Sequence, residues 1–189
     1  EIGWVVSAYL LAAAVATPIT AKLSDIYGRK VMFFVNVIIF LIGSLVCGLS
    51  DSMTMLIAGR AIQGVGGGGL LAGAFTIIGD IFPPRERGKW IGLLGATFGI
   101  ASVIGPTLGG WLTDNLSWHW VFLVNLPVGL IAMAIAAHAL PNIKRDFAGK
   151  IDWLGAVGVA ATVIPFLLAL VWGGDKYSWS SPQILGLFA

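Results

Sequence analysis

The chain has 189 residues, of which 58% are hydrophobic and only 11% charged, with a mean hydropathy of +0.93. Soluble domains carry about 25% charged residues, so too few polar groups remain here to coat a water-soluble globule. The net charge of +2 is too small to argue for nucleic acid, and the single cysteine, Cys47, excludes an intrachain disulfide.

The sequence opens at Glu1, without Met, directly into an apolar stretch, and it stops at Ala189 inside another. It shows no basic start, short apolar core and cleavage site of a signal peptide. It reads as an internal fragment of a longer polytopic chain. A helix needs about 20 apolar residues to cross the hydrocarbon core. Spans are expected at 3–21, 31–49, 53–82, 90–112, 118–140 and 153–173, with a seventh beginning near Pro182. The third is too long for one straight crossing and must tilt or extend beyond the lipid. Nine of the eleven basic residues fall in three loops on one side: Lys22, Arg29 and Lys30; Arg85, Arg87 and Lys89; Lys144, Arg145 and Lys150. The positive-inside rule makes those loops cytoplasmic, and the eight tryptophans sit at or near span ends, where an aromatic belt belongs.

The first cytoplasmic loop, Lys22 to Lys30, contains Asp25, Gly28 and Arg29. A tight turn with topology-setting charges explains Lys22, Gly28 and Lys30 but not an acid four residues before the Arg-Lys pair. Asp25 suits a neighbouring helix N-terminus and Arg29 suits another carboxylate. Asp80, at the cytoplasmic end of the third span, is on the right side of the membrane for Arg29.

Arg60 is the one charge within an apolar run from Ser52 to Gly79. A guanidinium at membrane depth costs a few kcal/mol or more. Arg60, Gln63, Gly64, Gly67 and Leu71 follow helical spacing, which directs them toward a polar cavity or a partner helix. The alternative for Arg60 is snorkelling to the outer surface. Gly64-x-Gly66-x-x-Gly69 formally matches a dinucleotide fingerprint, but it lies mid-span without a preceding strand, so that reading fails.

In the fourth span Gly92, Gly95, Gly99, Ser102, Pro106 and Gly109 form a stripe of small residues suited to a close helix–helix contact. Pro106 removes a backbone hydrogen bond and can kink the helix. Spacing alone leaves ordinary packing and a mobile hinge open. In the fifth span, Asn125 beside Pro127 suggests a bent helix with a satisfied polar group; substrate contact and packing both suit Asn125. His119 has no spaced partner ligands, so no metal role is expected. No catalytic constellation appears, and the chain does not read as an enzyme or as needing a cofactor.

Three stretches then carry a resemblance to the major facilitator superfamily. Leu23-Ser24-Asp25-Ile26-Tyr27-Gly28-Arg29-Lys30 is similar to its signature loop between helices two and three, with Ala21 where glycine usually opens it. Arg60-Ala61-Ile62-Gln63-Gly64 resembles its fourth-helix motif. Gly105-Pro106-Thr107-Leu108-Gly109-Gly110 resembles the fifth-helix motif associated with antiporters. Trp118–Gly129 and Asp152-Trp153-Leu154-Gly155 further resemble the fourteen-span drug:proton antiporters.

The resemblance implies an all-α, polytopic transmembrane bundle of major facilitator type, incomplete. Residues 1–140 would form the N-terminal bundle (helices two to six) and 141–189 a cytoplasmic loop, helix seven and the start of helix eight. It implies a gating or structural cluster of Asp25, Gly28, Arg29, Lys30 and Asp80. There Asp25 would latch onto the other half, and Arg29 would pair with Asp80. Arg60, Gln63 and Gly64 would serve proton coupling or the cavity, and Gly105, Pro106, Gly109 and Gly110 a sealed antiporter helix. The implied partners are a small-molecule substrate, protons and membrane lipid, not nucleic acid; accessory export proteins stay open. The implied energy source is a proton gradient across a bacterial cytoplasmic membrane. The rivals to a drug exporter are an exporter of one metabolite, peptide or siderophore, and a non-transporting membrane sensor or scaffold.

Overall fold

One glycine separates the first two helices. The computed structural model describes residues 2–141, 153–174 and 176–188. In it α1 (Ile2–Tyr27) and α2 (Arg29–Gly48) are joined at Gly28 alone. Gly28 holds φ 95° and ψ 148°, a region essentially reserved to glycine. The stretch 22–30 is therefore not a loop: it is the last turns of α1 and the first of α2. A residue without Cβ can reverse the chain in one step while charged residues remain helical on either side.

The remaining boundaries follow from local chemistry. Helix α3 (Met53–Ile81) starts where the Ser52 side chain accepts a hydrogen bond from the Met55 backbone N–H, satisfying an orphan donor of the first turn. Its 29 residues extend roughly 44 Å, longer than a bilayer core. Helix α4 (Pro84–Asn115) opens with proline at its first position, where the missing N–H costs nothing. It runs on through Pro106 without a break, longer at both ends than the expected 90–112. The fifth span is interrupted, giving α5 (Trp120–Leu123) and α6 (Asn125–Ala139). Pro127 has no N–H to return to the Leu123 carbonyl, so the helix is interrupted at Val124. Helix α7 (Trp153–Trp172) and the short α8 (Pro182–Phe188) complete the described chain. Lys144, Arg145, Lys150 and Asp152 lie outside the described residues.

Among the described residues, five helical spans are long and apolar enough to cross a membrane: Gly3–Tyr27, Arg29–Gly48, Met53–Ile81, Pro84–Asn115 and Trp120–Ala139. Val103, Ile131 and Ile135 are among their exposed apolar side chains, as suits helices set in lipid rather than water.

Helix α3 is the centre. A methyl at Gly64 or Gly68 would land on the backbone of Tyr9 or Ala13 in α1, and one at Gly66 on Phe40 and Asn36 in α2. The glycine run thus lets two neighbouring backbones approach α3 from different sides. On α2, Gly43 returns the arrangement, facing the Gln63 backbone. Helix α6 leans on α2 through Gly129 against Leu41, and Lys30 Nζ donates to the Ala137 carbonyl at 2.6 Å. Helix α7 meets α1 through Trp4 and Trp172, edge to face at 6.1 Å between ring centres.

Candidate functional site: a charge cluster and a buried arginine

Gly28 sets the geometry of the charge cluster. Because α1 ends and α2 begins within one residue, Asp25 and Arg29 stand one turn apart, with Arg29 Nη2 2.6 Å from Asp25 Oδ1. Arg29 Nε also donates to Asp80 Oδ2 of α3 at 2.7 Å. Arg29 is 7% exposed and the Asp80 side chain 8%. The two carboxylates outweigh the cost of burying the guanidinium, and the charge-assisted bonds fix three helix ends together. Asp25 is thus engaged with Arg29 within the described chain. Arg29 Nη1 is buried with no hydrogen-bond partner among the described residues. At the same end Arg87 donates from Nη2 to the Gly79 carbonyl (2.6 Å) and from Nε to that of Phe82 (3.1 Å). That places a cation where the last carbonyls of α3 need one, a role sequence reading had not given it.

Two turns into α3 from the other surface, Arg60 is tied inward. Its Nε donates to the Val5 carbonyl of α1 at 3.0 Å, and Nη1 donates to Gln63 Oε1. Gln63 Nε2 then donates to Ser44 Oγ of α2 at 2.7 Å, and Asn125 Nδ2 of α6 donates to the same oxygen at 3.3 Å. The guanidinium carbon lies 4.4 Å from the Tyr9 ring centre and 5.9 Å from that of Phe122. Gln63 is 2% exposed and Ser44 fully buried. Of the alternatives open from sequence, the partner helix describes these side chains: Arg60 and Gly64 face α1, while Gln63 faces α2. Two of the guanidinium N–H groups donate to inward acceptors, which draws Arg60 away from snorkelling to the surface. Ser44, Tyr9 and Phe122 were not foreseen. The usable signal was polar Asn36 and Ser44 at helical spacing in an otherwise apolar span.

The fifth-helix motif stands apart. A Cβ at Gly92, Gly95, Gly99, Gly105, Gly109 or Gly110 would meet nothing within 4 Å among the described residues. The small stripe therefore makes no helix–helix contact within the described chain. Between α4 and the inner helices lie two apolar grooves. One of about 650 Å³ is lined by Tyr9, Thr17, Gly67, Leu71 and Phe98 among others. The other, about 460 Å³, includes Phe33, Ile77, Asn125 and Ala132. Asn125 thus both donates to Ser44 and borders a groove. Among the described residues no group of three His, Cys, Asp or Glu side chains could hold a metal.

Known proteins resemble this chain in sequence and in fold. The chain is 47% identical over its whole length to "Multidrug resistance protein 3" of Bacillus subtilis, spanning 37% of that protein. It is 44% identical over 98% of its length to "Multidrug transporter protein MdtP" of the same organism, spanning 34% of it. "Efflux pump dotC" of Dothistroma septosporum is 44% identical over 97% of the chain, which spans 33% of that pump. The chain thus covers little more than a third of the length of these relatives. The crystal structure of the human organic anion transporter MFSD10 (TETRAN) superposes with a TM-score of 0.70 over 97% of this chain and 43% of that one. At 20% identity this likeness concerns the fold. The family description "Major Facilitator Superfamily" matches residues 1–188, and with the three motifs set on these helices, the chain belongs to the major facilitator superfamily, as a multi-pass integral membrane protein.

Proposed function

We propose that this chain is part of a proton-coupled antiporter that exports drugs or other small amphipathic compounds by alternating access. Arg60 carries the reading. A cation held at membrane depth by the Val5 carbonyl and Gln63 costs too much to serve packing that neutral side chains could provide. Its fixed charge biases when a nearby carboxylate in the membrane binds a proton, and a proton drives transport only if the two conformations bind it differently. No acidic side chain lies deep in a described span; the resemblance puts the carrier on helix one of the family. Arg29, Asp25 and Asp80 clamp three helix ends so that residues 1–140 rock as one bundle, with residues 141–189 leading into the rest of the transporter. The printed names of the bacterial and fungal relatives support export of drug-like compounds. The two Bacillus relatives support a bacterial cytoplasmic membrane; the proton gradient as energy source rests on the family resemblance of the motifs.

The test uses the full-length protein in proteoliposomes with an imposed pH gradient and an amphipathic dye. Arg60→Ala, inserted and folded at normal yield, is expected to lose gradient-driven flux while dye binding persists. Undiminished flux in that variant overturns the role of Arg60, and absence of flux for every dye in the unsubstituted protein favours a sensor.

A further inference from the structure

On the surface opposite the charge cluster, the connection between α4 and α5 is docked on the connection between α2 and α3. His119 Nε2 lies 3.1 Å from the Ser50 carbonyl. A carbonyl only accepts, so Nε2–H of His119 donates. Ser50 itself is 1% exposed and its hydroxyl donates to the Cys47 carbonyl at 2.7 Å. The imidazole therefore sits over the C-terminal end of α2, where a positive charge is favoured by the helix dipole. Its flat face stacks on Trp118, ring centres 3.8 Å apart and planes 28° apart. Both rings border an open cavity of about 380 Å³ that also takes in Asp51, Ser52 and Met53. Water and protons from that side reach the histidine there.

The ring is also placed to report inward. Trp118 meets Phe122 edge to face at 6.2 Å, and Phe122 is the second aromatic ring beside the Arg60 guanidinium. The charged groups around the imidazole are few. The α2–α3 connection offers Asp51, α3 offers Arg60 beyond Phe122, and Asp114 in the last turn of α4 is exposed. Residues 120–123 of α5 carry no charge.

We propose that His119 is a proton-binding site on the outer face, at which protonation tightens the hold of the α4–α5 connection on the end of α2 and so fixes Phe122 beside Arg60. Neutral His119 already donates to Ser50 through Nε2, so the hydrogen bond alone does not respond to pH. What protonation adds is a full charge, attracted by the α2 carbonyls and the Asp51 carboxylate. The sign follows: the clip is tight below the pH at which the imidazole releases its proton and looser above it. Histidine is the side chain whose ordinary titration falls between about pH 5 and 8.

The stacking supplies a readout independent of transport, because a protonated imidazole against an indole quenches its emission. In the full-length protein in nanodiscs, tryptophan fluorescence is followed from about pH 5 to 8 for the unsubstituted protein and for Trp118→Phe. Their difference isolates Trp118 and is expected to dim in one transition as pH falls. His119→Gln, which keeps a donor for Ser50, is expected to lose that transition. A difference signal that is flat with pH, or a transition that survives in His119→Gln, overturns the proposal. If His119→Gln does not fold, the comparison with Trp118→Phe still decides. Failure here leaves the transport reading of Arg60 standing, since no flux is measured.

Discussion

Helices α3 and α4 are both long, apolar and rich in glycine, yet they use glycine in opposite ways. In α3 a methyl at Gly64, Gly66 or Gly68 would strike the backbone of a neighbouring helix, whereas along α4 the corresponding methyls meet nothing among the described residues. Half-buried α3 gathers Arg60, Gln63 and Asp80 into bonds with α1 and α2, while of α4 only Leu112 is buried. A small-residue stripe permits close approach; it does not by itself say which backbone approaches. In lipid, where no hydrophobic force gathers helices, close contact and polar bonds decide, and of these two helices only α3 has both within the described chain.

Four substitutions set that contrast to the test, each read by thermal unfolding of the full-length protein in detergent. Asp80→Ala should be the most damaging, because it leaves buried Arg29 short of a partner, at a cost of about 3–5 kcal/mol. A melting temperature unchanged by it would dissolve the charge cluster as a structural unit. Gly64→Val should follow, with a loss of about 1–3 kcal/mol from overpacking against Tyr9; a normally folded variant would mean α1 and α3 are further apart than described. Ser44→Ala removes the acceptor shared by Gln63 and Asn125 and should cost about 1 kcal/mol. If it costs nothing, the polar chain from α1 to α6 has no energetic content. Gly99→Ala on α4 is expected to change stability by less than about 0.5 kcal/mol. A larger loss would mean that a segment beyond the described residues packs on that stripe.

The two arginines make a second contrast. Arg29 is held by carboxylates and Arg60 by neutral acceptors and aromatic rings. The first arrangement neutralises its charge and suits a clamp. The second leaves a net positive charge among apolar helices, which suits a site that must influence a proton elsewhere.

Sequence alone determined the membrane class and the places of five spans, because these depend on composition summed over about 20 residues. It also marked Arg60 and paired Arg29 with Asp80, since a charge in an apolar run and two opposite charges on one membrane surface are visible without coordinates. Tertiary structure decided the rest. Gly28 turned an expected loop into two abutting helix ends, and Pro127 interrupted the fifth span at Val124. Only the packing of α1 and α2 on α3 showed that Arg60 and Gln63 face partner helices, with Ser44, Tyr9 and Phe122 around them. Such contacts join residues as far as 81 positions apart, and their geometry depends on how closely backbones approach, which a residue pattern permits but does not specify.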